Sequence, residues 1–103
     1  MEINNYQQWT KTTAIYPKEQ ALTYLALGLA SEAGEVAGKF KKMVRDGGYD
    51  AIGTLDEIGD VLWYCARLAD EMGFKLEDCL QRNHDKLEDR KNRNVLSGSG
   101  DKR

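Results

Sequence analysis

The apolar residues of this chain recur with the period of an α-helix along nearly its whole length. There is one proline, Pro17, and no sustained apolar/polar alternation of the kind that marks a strand. The first helix is expected to start at Asn4 or Asn5, either of which can cap it, and to carry Tyr6 and Trp9 before ending near Ala14. Pro17 suits the first turn of a second helix over 18–45. In that helix Leu22, Leu25, Leu29, Val36, Phe40 and Met43 form an apolar stripe, and Gly47-Gly48 stops it. A third helix opens at Thr54, points Ile58, Val61, Leu62, Cys65, Leu68 and Met72 inward, and ends at Gly73. The fourth runs from Leu76 to about Asn94, with Glu77 and Asp78 in the first turn, where the helix dipole favours anions.

The expected fold is therefore all-α, a four-helix bundle. At 103 residues there is room for one domain and a modest core. The domain is assigned to residues 1–96 and a Gly/Ser-rich tail to 97–103, flexible unless a ligand or neighbour holds it. Trp63, Tyr64 and Ala66 add apolar bulk on the side of the third helix that its inward stripe does not use. A helix apolar over most of its circumference is normally buried on two sides, which predicts a subunit interface and a bundle completed by oligomerisation, as a homodimer or homotetramer.

A formal net charge of −2 offers no basic field for a nucleic-acid polymer. No segment approaches the ~20 apolar residues that cross a bilayer, and Met1-Glu2-Ile3-Asn4-Asn5 lacks the basic and apolar regions of a signal peptide. Cys65 and Cys79 form no CxxC pair and suit a reducing compartment. A soluble cytoplasmic protein is expected.

The chemistry lies in acids. Glu32 and Glu35 are three residues apart on the second helix, and Glu57 and Asp60 share that spacing on the third, so each helix presents two carboxylates on one face. If the faces meet, each pair of anions at ~4 Å repels by ~1 kcal/mol in water and ~4 kcal/mol at an effective dielectric near 20. Such a group persists only with cations or protons bound. An all-oxygen set suits magnesium, with manganese as its substitute. Gly34 and Gly59, one inside each pair, would let the two backbones approach. The competing explanations are local: Glu57 at capping-box spacing from Thr54, and Glu35 paired with Lys39 one turn on. The only histidine, His84, has no Glu-x-x-His partner spacing, which disfavours a di-iron centre. Tyr64, four residues beyond Asp60, shares the acidic face.

Glu32-x-x-Glu35, a spacer and Glu57-x-x-Asp60, with the runs Leu29–Val36 and Asp56–Tyr64 and a fourth helix carrying Asn83, Lys86 and Arg90, resemble the MazG-like nucleotide pyrophosphohydrolases. The resemblance implies an all-helical enzyme that hydrolyses a nucleoside triphosphate to the monophosphate and pyrophosphate with magnesium. It implies the four acids as metal ligands, Glu35 as the base for the attacking water, Tyr64 as a base or sugar contact with a core tyrosine as the alternative, and Asn83, Lys86 and Arg90 as phosphate or sugar contacts, against which a solvated polar stripe is the alternative. The rival function from another class is a helical module that binds nucleotide or a partner without turnover; a carboxylate-rich metal buffer is a third.

Overall fold

The computed structural model describes residues 1–103. It contains α1 (Ile3–Thr10), α2 (Ala21–Asp46), α3 (Ala51–Glu71) and α4 (Leu76–Asn92), with 3₁₀ turns at Lys11–Thr13 and Lys18–Gln20 and no strand. The all-α, four-helix expectation holds. Pro17, extended at φ −63°, precedes the 3₁₀ turn that leads into α2. Gly47 at φ 80° closes α2, its N–H donating to the Met43 carbonyl, in a conformation that costs a residue with a Cβ.

Two helix starts differ from expectation. Neither Asn4 nor Asn5 caps α1; Glu2 occupies the cap position without a side-chain bond, and the Asn4 amide donates instead to Glu77 on α4 at 2.6 Å. The third helix starts at Ala51, not Thr54, because Asp50 is its cap and accepts from the Gly53 N–H at 3.0 Å. Thr54 is buried and its hydroxyl donates to the Asp50 carbonyl, so the Thr54–Glu57 capping box does not form.

α2 and α3 pack along their lengths as an antiparallel hairpin. α1 lies across α3, fixed by the buried Gln7, whose amide donates to the carbonyls of Ala66 and Phe74 and accepts from the Leu76 N–H. A small core of Tyr16, Ala21 and Leu25 is backed by Trp63, Tyr64 and Leu68.

The facing of α3 departs from the sequence expectation at half of its stripe: Leu68 packs on the core and Val61 and Cys65 are half-buried as expected, but the rest turns outward. Ala66 is fully buried and Trp63 and Tyr64 pack on the core, whereas Ile58, Leu62 and Met72 are 42%, 49% and 56% exposed. The face turned to α2 runs through Glu57, Asp60 and Tyr64, at helical spacings of three and four. α3 is apolar on both sides, so periodicity alone could not orient it. The bulk of the aromatic pair, with Trp63 Nε1–H donating to Thr13 at 2.7 Å, decides which side faces inward.

Candidate metal centre

Glu32 lies ~21 Å before the end of α2 and Asp60 ~14 Å after the start of α3, a mismatch of ~7 Å at 1.5 Å per residue. The four-residue turn Gly47–Asp50 can span ~13 Å, so it absorbs the stagger with α2 continuous from Ala21 to Asp46. The two acidic faces meet as a result. One carboxylate oxygen from each of Glu32, Glu57 and Asp60 comes within 4.8 Å of the others. Glu32 and Glu57 are half-buried and Asp60 is exposed.

Burial raises the Glu32 pKa above the ordinary carboxylate value, and the charges of Asp60, Glu57 and Glu35 raise it further. An all-oxygen anionic set that resists its own ionisation fits a hard divalent cation. Glu35, one turn along α2, is exposed and outside the close group, though near enough to act on Glu32. It does not pair with Lys39. That ammonium instead lies 3.1 Å from Asp50, whose carboxylate favours the charged form first, followed by Glu57 and Asp56. Lys39, Lys42, Tyr49 and Asp50 line an open cleft of about 410 Å³ at the α2–α3 turn, with none of the clustered acids in its wall.

Tyr64 borders the other end of the cluster. Burial raises its phenol pKa most, with Tyr24, Glu32 and Asp60 adding to the shift. Its ring lies against Gly28, a residue that the sequence reading passed over. A Cβ at Gly28 would stand 2.7 Å from Cδ1 of Tyr64 and closer still to Cζ and Cε1, whereas a Cβ at Gly34 or Gly59 would meet nothing. The close approach is thus at Gly28, not at the glycines within the acidic pairs. Gly34 is two residues from Glu32, ~200° around the helix, and so points away from α3. A mid-helix glycine costing ~1 kcal/mol was the available signal for Gly28.

The expected result follows from that contact. Gly28→Ala should destabilise the protein by ~1–2 kcal/mol through overpacking. In a Tyr64→Ala background the same change should stabilise by ~0.5–1 kcal/mol, because only the helix propensity gain remains. Urea unfolding of the four proteins checks this sign reversal.

Tyr6 of α1 approaches Asp60 from the other side, its pKa raised by burial and then by that carboxylate. Trp9 is 47% exposed, its ring centroid 6.0 Å from that of Tyr6. The α4 residues are not brought to the cluster. Asn83 and Lys86 are exposed and Arg90 is buried, but Lys86 and Arg90 bond to Asp101 of the tail. Beyond Leu80 every residue of α4 except Glu88 and Arg90 is exposed, so this half of the helix stands clear of the bundle. Arg67 was also passed over. It is 4% exposed and joins Tyr16, Thr10, Asp70 and Glu71 beneath the hairpin.

The family model of the MazG nucleotide pyrophosphohydrolase domain matches residues 20–95, a span holding all four acids and the α4 residues. The Gene 37 protein of Mycobacterium phage L5 is 41% identical over a 116-residue alignment that covers 100% of both chains. No solved structure matches. With the model spanning most of its length and the acids converging where two helices meet, the chain belongs to the MazG nucleotide pyrophosphohydrolase family.

Proposed function

We propose that the protein hydrolyses nucleoside triphosphates, deoxynucleotides among them, to monophosphate and pyrophosphate in a magnesium-dependent reaction. The carrying observation is the convergence of Glu32, Glu57 and Asp60 from two helices on one all-oxygen site. Glu32, Glu57 and Asp60 would hold magnesium, with manganese as substitute, and the ion would supply positive charge against the polyphosphate and lower the pKa of a water. Phosphoryl transfer needs chiefly positioning and charge, so no nucleophilic side chain is required. Glu35, exposed and one turn from Glu32, serves as the base that takes the proton of the attacking water. Tyr64 flanks the sugar or base, on the side of the cluster where Tyr24 and Trp63 also lie.

The working form is an oligomer, a dimer or a pair of dimers. A compact 11.6 kDa monomer would expose about 5,800 Å² and have a radius of gyration near 13 Å. This chain exposes 7618 Å² with a radius of 16.4 Å. The excess is more than the ~800 Å² per partner of a standard interface. Leu55, Ile58 and Leu62 give α3 an uncovered apolar ridge, and Leu22 and Phe40 lie exposed on one side of α2 with Leu27 exposed on another. With its distal half clear of its own bundle, α4 carries Asn83, Lys86 and Arg90 to the phosphates or sugar bound by a second copy.

Free thiols at Cys65 and Cys79 suit the cytoplasm, and no helix is long and apolar enough to cross a membrane. The test is pyrophosphate release from a panel of ribo- and deoxynucleoside triphosphates with magnesium or with chelator. Turnover confined to the magnesium arm supports the reading. Absence of turnover across the panel, with nucleotide still bound, would replace it with a binding module.

A further inference from the structure

The last seven residues do not simply trail from α4. Asp101 accepts from Lys86 Nζ at 2.9 Å, and the Arg90 guanidinium donates through Nη2 to both the carbonyl and the carboxylate of Asp101. Arg103 donates to the carbonyls of Val95, Gly100 and Leu96, while its own carbonyl accepts from Arg93. Its guanidinium meets no carboxylate, so the tail adds positive charge at this end of α4 as well as one anion.

Arg90 is thereby 6% exposed on a stretch of helix where nearly every neighbour faces water. Only its Nη2 is bonded. Nε and Nη1 have no protein partner and are not completely enclosed, each keeping a small exposed area. Lys86 spends one bond on Asp101 and is 41% exposed. Two long cations one turn apart repel each other and would otherwise sample many rotamers. A single carboxylate between them removes the repulsion and fixes both heads with donors to spare. That is the geometry of a preorganised receptor for phosphate oxygens.

On the reading that α4 meets the substrate's phosphates, we infer that the C-terminal segment belongs to the binding arm, with Asp101 as the positioning residue that holds Lys86 and Arg90 for the polyphosphate, and Arg103 tying the segment back to Val95 and Leu96. Asp101 touches the cations and not the substrate. Its loss should therefore act on affinity and spare the chemical step.

The experiment compares full-length wild type, Asp101→Ala, Asp101→Glu, Lys86→Ala and Arg90→Ala, measuring KM and kcat for a nucleoside triphosphate and calorimetric binding of inorganic triphosphate. Asp101→Ala should raise KM and the triphosphate Kd roughly tenfold, the loss expected for one charge-assisted bond, with kcat within about twofold. Asp101→Glu should recover part of that loss. A KM unchanged in Asp101→Ala while Lys86→Ala and Arg90→Ala raise it would overturn the role of the tail alone. A KM that falls would mean that Asp101 masks the cations, which also overturns it. If Lys86→Ala and Arg90→Ala leave both KM and triphosphate binding untouched, the assignment of α4 to the phosphates fails, and the role of the tail with it.

Discussion

Replacing Glu57 with glutamine is expected to lower kcat/KM for a nucleoside triphosphate on the order of 10³-fold, about 4 kcal/mol of transition-state stabilisation. The same change should make the metal-free protein more stable. Glu57 is half-buried within 4.8 Å of two other carboxylates, and each such pair repels by ~1 kcal/mol even at the dielectric of water. A residue kept at the expense of stability and needed for turnover is the signature of a charge site.

The pH dependence follows from Glu32. Burial, and then Asp60, Glu57 and Glu35, hold its pKa above the ordinary value, so the folded chain retains a proton that the unfolded chain releases. Stability from this group is present in full below the unfolded carboxylate pKa and is lost as pH rises through the raised folded one. Thermal melts of the metal-free protein should decline across that window. The decline should be smaller in Glu57→Gln, and saturating magnesium should remove it.

The second large effect is on stability. Arg67→Met should cost about 3 kcal/mol, because the guanidinium joins three segments at once and its removal strands partners with limited access to water. Its Nε–H donates to the Tyr16 hydroxyl at 3.2 Å, and Nη1 lies 3.4 Å from the Thr10 hydroxyl and 3.1 Å from Asp70. Nη2 lies 3.4 Å from Glu71. Tyr16 keeps its own bond to Glu71 at 2.6 Å, which limits the loss. Arg67→Lys restores one point charge but not the fork, and should fall between the two. Chemical denaturation of the three proteins checks the order.

The helical class, the rough positions of the four helices and the placing of two acids on one face of each of α2 and α3 were readable from residue spacing, since each depends on local periodicity; that the faces meet was only a condition, and Glu35 stands outside the close group. The stop at Gly47 was readable for the same reason. What was not readable depends on which of two similar faces turns inward. α3 carries Ile58 and Leu62 on one side and Trp63, Tyr64 and Ala66 on the other, and only packing against Tyr16 and Leu25 selects between them. Arg67 and Gln7 look like surface residues in sequence and are buried because several hydrogen bonds close over each. Gly28 was missed because its purpose is a ring on another helix, 36 positions away in the chain. The start of α3 was misplaced because Asp50 and Thr54 are both competent caps and only the turn geometry chooses Asp50. The contacts that hold the tail on α4 are long side chains bonding to backbone carbonyls, which no periodicity reports.

The central claim is that α2 and α3 together build one divalent-ion site, and manganese binding followed by electron paramagnetic resonance addresses it without relying on turnover. Wild type should bind Mn²⁺ saturably, and Glu32→Gln on one helix and Asp60→Asn on the other should each weaken that binding at least about tenfold while the helical content stays the same. Undiminished manganese binding in both variants would contradict the account.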